Sequence, residues 1–211
     1  MNQGREYSIE EIERMNSIAT DAGIQGAYAE MAGAGFPDEA LGLFREHIPG
    51  TRVLDAGCGW GRYVPRFRKL GFDYFGVDLS EQSIAYACED YPDACFAVGS
   101  YRQLCLPDES IDGVWACCTL GYLPKQSVHA ALLEFCRVLV PGGVIAIIEP
   151  YGIENGKEGP VRSRHSDHDL YLADWGMQEF LAMLEHAPCA VEDSFMHPYH
   201  GTMVFLARKK G

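Results

Sequence analysis

The sequence has no long hydrophobic run, and no apolar stretch approaches the roughly 18 residues that a membrane-spanning helix needs. Its first residues, MNQGREYSIEEIERMNS, are polar and acidic, which is unlike a secretory signal. Internal repeats and low-complexity tracts are also absent, so the 211 residues fit one domain with a full hydrophobic core. We therefore expect a cytoplasmic protein without a membrane partner.

Positive charge is scarce in this chain. It has 17 lysines and arginines against 30 aspartates and glutamates, which gives a formal net charge of −13. Nucleic acids and anionic lipids repel such a chain, so neither is expected as a partner. For the oligomeric state we expect a monomer or a homodimer.

The signature of a disulfide framework is missing, although cysteine is frequent. None of the eight cysteines forms a C-x-x-C pair, and several lie inside apolar runs. Reduced thiols in a cytoplasm explain this usage better than disulfides do. Cys88 and Cys136 fall on the apolar faces of predicted helices, so both are expected to pack in the core.

The chain does contain a regular alternation of short apolar runs with amphipathic stretches. The runs predict seven strands, at residues 51–56, 74–78, 94–98, 111–117, 144–149, 191–196 and 203–207. The amphipathic stretches predict helices at about 62–70, at 81–90 after a Ser80 cap, at about 128–139 before the PGG at 141–143, and near 174–186. This order predicts an α/β fold, a Rossmann-like, doubly wound, mostly parallel sheet with helices on both faces. The last two strands are joined only by HPYHGT, so they should form an antiparallel pair at the edge of the sheet.

The first 48 residues differ in character from the remainder. EYSIEEIERMNSIA predicts an acidic amphipathic helix, DEALGLFREHI predicts a second helix, and GAGFP between them predicts a hinge or loop. We expect residues 1–48 to form a helical lid over the carboxyl edge of the sheet. Residues 49–211 then form the ligand-binding domain, in a chain that is a single domain overall.

A glycine-rich loop, VLDAGCGWGRYVP at 53–65, follows the first strand. Ligands of open α/β sheets bind beyond the carboxyl ends of the strands, and glycines let the backbone approach them closely. A dinucleotide site needs G-x-G-x-x-G, whereas Gly57, Gly59 and Gly61 are spaced as G-x-G-x-G and Arg62 replaces the third glycine. Asp55, two residues before the first glycine, suits a cationic or hydroxyl-rich ligand better than a pyrophosphate. A nicotinamide oxidoreductase is therefore disfavoured.

Four stretches together carry a family resemblance: VLDAGCGWGRYVPRFRKLG, YFGVDLSEQSIAYA, LPDESIDGVWACCTLGYL and FCRVLVPGGVIAIIEP. In order and spacing they resemble the successive motifs of class I S-adenosylmethionine-dependent methyltransferases, over about residues 50–150. The resemblance implies S-adenosyl-L-methionine as cofactor and S-adenosyl-L-homocysteine as product. The cofactor-binding positions that it implies are Asp55, Ala56, Gly57, Cys58, Gly59, Gly61, Asp78, Leu79, Ser100, Tyr101, Cys117 and Tyr122.

The resemblance also implies individual roles. Asp55 supports the methionine end, Asp78 takes both ribose hydroxyls, and Leu79 lies against the adenine ring. Ser100 and the Tyr101 backbone N–H meet the polar edge of the adenine, and the Cys117 carbonyl receives the methionine ammonium. Ser100 departs from the family, which often has Asp there, so this contact lacks the assistance of a charge.

Candidate acceptor and catalytic residues follow the fourth and fifth strands. Tyr122 shapes the acceptor site or packs under the lid, and Glu149 ends its strand facing the ligand crevice. The long polar stretch after Glu149 holds His165 and His168, in or just before the next helix. Either histidine is a candidate general base, or a metal ligand with His197 or His200 as a distant third. The further acceptor-site candidates are Tyr28, Arg162, Arg164 and His200; the two arginines would hold an acidic acceptor and Tyr28 would close over the cofactor from the lid.

Three functions remain open on the sequence alone. Methyl transfer to an O, N or C nucleophile of a small molecule leads, since the sulfonium activates the methyl and the enzyme mainly aligns the reactants. Methylation of a peptide or protein is the second. A non-catalytic module that binds S-adenosylmethionine or S-adenosylhomocysteine is the third. Metalloid methylation, with Cys58 and Cys117 near the cofactor, is a weaker variant of the first.

Overall fold

The computed structural model describes residues 6–32, 37–151, 156–197 and 201–211. The strands of its main sheet are β1 Arg52–Ala56, β2 Asp73–Asp78, β3 Cys95–Val98, β4 Ile111–Cys117, β5 Leu139–Pro150, β8 Cys189–His197 and β9 Thr202–Lys209. A second, two-stranded sheet consists of β6 Glu158–Arg162 and β7 Asp169–Ala173. The described helices are α1 Ile9–Ala32, α2 Asp38–His47, α3 Val64–Lys69, α4 Glu81–Asp90, α5 Lys125–Val138 and α6 Met177–Glu185.

The strand order of the main sheet is β3-β2-β1-β4-β5-β9-β8. β1 to β5 pair in parallel, whereas β9 pairs antiparallel with both β5 and β8. This confirms the doubly wound, mostly parallel seven-stranded sheet with an antiparallel C-terminal strand pair. The order reverses between β1 and β4, because the chain first builds outward to β3 and then crosses to the other side. A crevice therefore opens beyond the carboxyl ends of these two strands.

The central strands are buried on both faces of the sheet. On β4, Val114 and Ala116 belong to a core cluster with helices α5 and α6, while Trp115 belongs to one with α2 and α3. Alternate side chains of a strand point to opposite faces, so one strand serves both layers. The helices on the two faces hold the crevice in a fixed position at one end of the sheet.

The two helices within residues 1–48 lie in different places. α2 packs Ala40, Leu41 and Phe44 into the core beneath Trp115. α1 lies across the carboxyl end of the sheet, where it contacts α4 and β7. Only α1 therefore has the position expected of a lid, and the division at residue 48 stays a prediction. The GAGFP hinge lies outside the described residues except for Pro37, which precedes α2.

The stretch after β5 is a hairpin, so the expected placement of His165 and His168 in or just before a helix is wrong. β6 and β7 pair antiparallel from Glu158↔Ala173 to Arg162↔Asp169, and both histidines lie in the turn between them. The sequence DLYLA alternates along β7, with Tyr171 and Ala173 buried. The strands could not be predicted from the sequence, because the alternation is short and is surrounded by glycine, proline and charged residues.

Three smaller expectations met different outcomes. Ser80 caps α4, since its side chain accepts a hydrogen bond of 2.9 Å from the Ser83 N–H. α5 ends at Val138 rather than at the PGG, which lies inside β5 with Gly142 at φ +75°. All eight cysteines are free thiols, and Cys136 is buried as expected, but Cys88 is exposed because it faces away from the core side of α4. No described helix is both long enough and apolar enough to span a membrane.

Candidate functional site

The glycine loop between β1 and α3 has the backbone that only glycine adopts easily. Gly57, Gly59 and Gly61 have φ of +76°, +54° and +76°. The Gly57 N–H donates to the Val77 carbonyl at 2.8 Å, which ties the loop to β2. A Cβ on Gly57 would lie 2.6 Å from the Thr119 hydroxyl oxygen, so the loop passes directly against the segment after β4.

The Asp78 carboxylate stands at the carboxyl end of β2. One oxygen accepts from the Gly59 N–H at 2.8 Å and the other from the Ser80 N–H at 2.9 Å. Burial raises the pKa of Asp78, while these two hydrogen bonds favour its charged form and oppose the rise. Asp78 therefore presents a fixed carboxylate beside the glycine loop.

Asp55 lies beneath the loop rather than in the crevice. It is 1% exposed and accepts a hydrogen bond of 2.8 Å from the Tyr74 hydroxyl. Burial raises its pKa to about 7, against the opposing effect of the Tyr74 hydrogen bond. Asp55 does not line the cavity described next, and its side chain supports the loop from below; a role at the methionine end of the cofactor stays a prediction.

A first cavity lies in the crevice, between the glycine loop and helix α1. Its lining includes eight of the predicted cofactor positions: Gly57, Cys58, Gly59, Asp78, Leu79, Tyr101, Cys117 and Tyr122. The remaining four predicted positions, Asp55, Ala56, Gly61 and Ser100, do not line it. The Ala56 carbonyl accepts from the Thr119 hydroxyl at 2.8 Å, and Gly61 packs near Tyr91 and Phe96.

Helix α1 supplies lining residues that sequence reasoning missed. They are Glu13, Asn16, Ser17 and Thr20. Their spacing of i, i+3, i+4 and i+7 places them on one face of the helix, which is the signal that could have found them. Glu13 accepts from the Ser100 hydroxyl at 2.6 Å and from Arg102 Nε at 2.9 Å. The Ser100 hydroxyl is therefore already engaged by a carboxylate of α1.

Three further hydrogen bonds fasten α1 over the cavity. The Asn16 amide donates to the Tyr122 carbonyl at 2.8 Å and accepts from the Tyr171 N–H at 2.7 Å. The Ser80 hydroxyl donates to Asp21 at 2.5 Å. One asparagine thus joins α1 to the segment after β4 and to the β6–β7 hairpin.

The segment after β4 is held by Glu149. This carboxylate accepts from the backbone N–H groups of Thr119 at 2.9 Å, Leu120 at 2.7 Å and Gly121 at 3.3 Å. It is 2% exposed, and burial raises its pKa to about 7 against the effect of these hydrogen bonds. Glu149 is therefore committed to positioning the segment, which weakens its candidacy as a general base.

A second cavity lies under the β6–β7 hairpin and shares Cys118 and Tyr122 with the first. Cys118 has φ +54°, a backbone conformation that costs energy for a non-glycine residue and is common at functional sites. The second cavity brings together five of the predicted catalytic and acceptor residues: Tyr122, Glu149, Arg162, Arg164 and His165.

Other predicted residues lie elsewhere. His168 is on the far side of the hairpin turn, in a groove with Tyr7, Glu11 and Arg14. His200 and the side chain of Tyr28 lie outside the described residues. Within the part of the chain that the structure describes, no group of three His, Cys, Asp or Glu side chains could hold a metal ion.

Two of the three thiols of the first cavity are poorly suited to capture a metalloid. Cys58, Cys117 and Cys118 all line it. Burial raises the pKa of Cys58, and the hydrogen bond with Cys117 together with burial raises that of Cys118. Both groups therefore stay protonated, whereas the thiolate is the form that binds soft ions.

Comparison with known proteins shows which family the chain resembles. Residues 54–147 match a family model described as a methyltransferase domain. The chain is 37% identical over 105 residues to 2-methyl-6-phytyl-1,4-hydroquinone methyltransferase of Synechocystis, covering 48% of this chain and 32% of that protein. It is 31% identical over 154 residues to a probable S-adenosylmethionine-dependent methyltransferase of Mycolicibacterium smegmatis, covering 72% of this chain and 56% of that one.

A solved structure extends the similarity of fold to nearly the whole chain. It is 1,6-didemethyltoxoflavin-N1-methyltransferase of Burkholderia thailandensis, which contains bound 1,6-didemethyltoxoflavin and S-adenosylhomocysteine. The TM-score is 0.77 at 20% identity, with 99% of this chain and 93% of that chain covered. The curated relatives are longer, and the chain spans about a third to just over half of their length.

Proposed function

Since this chain belongs to the class I S-adenosylmethionine-dependent methyltransferases, we propose that it transfers a methyl group from S-adenosylmethionine to a small molecule. The observation that carries the proposal is the junction of the two cavities at Cys118 and Tyr122. A cofactor in the first cavity and an acceptor in the second would meet there. Alignment across such a junction is the main requirement of this reaction.

The lining of the first cavity fits the cofactor. S-adenosylmethionine, when bound, supplies a methyl group made electrophilic by its sulfonium. The positive-φ backbone at Gly57 and Gly59 leaves room for close approach of a ligand, and the half-buried Asp78 carboxylate is suited to a pair of ribose hydroxyls. The Cys117 carbonyl is suited to an ammonium, because the Thr119 hydroxyl, 3.1 Å away, has a shorter hydrogen bond of 2.8 Å to the Ala56 carbonyl.

The orientation of the cofactor follows from the position of the junction. Its reactive end must lie near Tyr122, so its base lies at the other end of the first cavity, near Leu79 and Glu13. Ser100 donates its hydroxyl to Glu13, so we assign the base's amino group to the carboxylate of Glu13. The family's carboxylate at the position of Ser100 is thus supplied by another element of this chain.

Two residues of the second cavity are suited to interact with the reacting group of the acceptor, one as a hydrogen-bond donor and one as a general base. Burial raises the pKa of the Tyr122 hydroxyl, so it stays protonated and serves as a hydrogen-bond donor. His165 remains the candidate general base, because Glu149 is committed to three backbone N–H groups. His165 also packs against α1, since a Cβ on Gly23 would lie 2.8 Å from its Cβ.

Titration calorimetry with S-adenosylmethionine, S-adenosylhomocysteine and NAD tests the proposal. Micromolar binding of the first two, and none of the third, is the expected result. Binding of NAD alone would overturn the assignment of the glycine loop. Release of S-adenosylhomocysteine with an acceptor present then separates an enzyme from a module that only binds.

A further inference from the structure

We propose that the acceptor is a largely apolar molecule with an anionic group, and that Arg164 binds this group. The inference rests on the function proposed above and names the class of molecule that the second cavity takes. Three features of that cavity support it: the apolar walls, the side chains that already have hydrogen bonds or ion pairs, and the side chains that have none.

The walls of the second cavity are apolar. Val161 of β6, with Leu170 and Leu172 of β7, faces it, together with Pro150 at the end of β5. Tyr171, between the two leucines, is buried on the opposite side with Ile12 of α1. The alternation of β7 therefore turns a row of leucines toward the acceptor, and such a wall binds an apolar body by removing it from water.

The carboxylates of the cavity already accept backbone hydrogen bonds, which leaves fewer of their lone pairs for a cation. Glu149 accepts three backbone N–H groups. Asp174 is 6% exposed and accepts from the Gly156 N–H at 2.8 Å. An ammonium group entering this cavity would have to compete with these backbone donors.

One of the two arginines is also committed. Arg162 pairs with Asp167 at 3.2 Å and with Asp169 at 3.6 Å, both on its own hairpin. Arg164, two residues further on, has no ion pair with any residue that the structure describes. Arg164 and Tyr122 both line the second cavity, and the positive charge of Arg164 opposes the rise that burial causes in the pKa of Tyr122.

The uncommitted polar groups are therefore hydrogen-bond donors at neutral pH. Arg164 offers a planar set of N–H groups that matches carboxylate, sulfonate or phosphate oxygens. Tyr122, whose hydroxyl has no hydrogen-bond partner among the described residues, lines the same cavity at its junction with the first. In a chain with a net charge of −13, a local cation favours the entry of an anion.

Matched probes on the protein saturated with S-adenosylhomocysteine test this proposal. The probes are 2-naphthoate, 2-naphthamide and 2-naphthylmethylamine, which share a ring system and differ in charge. Affinities are measured by calorimetry or ligand-observed NMR for the wild type, for Arg164→Gln and for Arg162→Gln. The last variant removes a guanidinium from the same hairpin, but one already paired with aspartates.

The affinity of the wild type for the carboxylate is expected to be at least about tenfold higher than its affinity for the amide. The amine should bind most weakly. Arg164→Gln should remove the carboxylate's advantage and leave the affinity for the amide unchanged, while Arg162→Gln should keep the advantage. No binding of the carboxylate, preference for the amine, or the same preference in Arg164→Gln would overturn the inference. Absence of S-adenosylhomocysteine binding would instead overturn the proposed function.

Discussion

The Glu13 carboxylate accepts a hydrogen bond of 2.6 Å from the Ser100 hydroxyl, which joins helix α1 to the loop after β3. The same oxygen, Oε1, accepts from Arg102, whereas Oε2 has no hydrogen bond to any described residue. The Glu13 side chain is 15% exposed. A largely buried hydrogen-bond acceptor thus remains at the edge of the first cavity, and α1 is part of the site as well as its cover.

Glu13→Gln should lower discrimination between adenine and its 6-oxo analogue. A carboxylate accepts from the amino group of S-adenosylhomocysteine but repels the oxygen of S-inosylhomocysteine. The wild type should therefore prefer the adenosyl compound, and the variant should lose roughly tenfold of that preference. Calorimetry with both compounds gives the ratio.

Asp21→Asn is the control, because Asp21 also fastens α1, through Ser80 rather than through Ser100. It should weaken both compounds equally if it loosens the helix. An unchanged ratio in Glu13→Gln would limit Glu13 to holding α1 in place.

Asp78→Ala should weaken binding of S-adenosylhomocysteine by about 1–3 kcal/mol, because hydrogen bonds between a charged group and the ribose hydroxyls are lost. Asp73→Ala is the matched control, since Asp73 lies at the opposite end of β2, where it accepts a hydrogen bond from the Thr51 hydroxyl. Calorimetry measures both, and circular dichroism checks that each variant is folded. Equal affinity of the two variants would contradict the role of Asp78.

Gly57→Ala should destabilise the fold more than Gly71→Ala does. The two glycines have nearly the same φ, +76° and +75°, so the backbone strain of about 1–2 kcal/mol is common to both. Only at Gly57 does the added Cβ meet a neighbour, at 2.6 Å from Thr119, whereas nothing lies within 4 Å at Gly71. The clash should add about 1–3 kcal/mol, measured as the difference in the free energy of unfolding in urea. Indistinguishable values would mean that the loop shifts without cost.

Asp55 and Asp112 should affect the pH dependence of stability in opposite directions. Burial raises the pKa of Asp55 to about 7, so between about pH 4 and 7 the folded state keeps a proton that the unfolded state releases. Its contribution to the free energy of unfolding therefore falls as the pH rises through this window. Asp55→Asn should remove that fall, which amounts to a few kcal/mol.

Asp112 behaves in the opposite way, because its hydrogen bond with Arg52 lowers its pKa. Its contribution is present above about pH 4 and is lost as the pH falls. Comparison of Asp112→Asn and Asp55→Asn with the wild type across pH 3–8 tests both signs. Parallel stability curves for all three proteins would contradict them.

The sheet and its glycine loop could be predicted from the sequence, because local patterns specify them. The buried strands are continuous apolar runs, and G-x-G-x-G after a strand permits the positive φ that the loop adopts. The β6–β7 hairpin was missed because its alternation is short and interrupted, so only pairing with the other strand reveals it. His165 and His168 were consequently treated alike, although within the hairpin turn His165 lines the second cavity and His168 lies in the groove with Tyr7.

The contribution of α1 could not be read from the family's motifs. Glu13 lies far in sequence from Ser100 and meets it only through packing across the crevice. Asp55 and Glu149 illustrate a related limit, since both were predicted at the right strand ends. The tertiary fold brings Tyr74 to Asp55 and the backbone from Thr119 to Gly121 to Glu149. Because of these hydrogen bonds, both carboxylates hold neighbouring groups in position.

A crystal structure of the complex with S-adenosylhomocysteine tests the central claim most directly. The account predicts that the sulfur lies at the junction by Cys118 and Tyr122, open to the second cavity, with the ribose on Asp78 and the base between Leu79 and Glu13. A sulfur atom that faces away from the second cavity, or a base at the Tyr122 end, would contradict it.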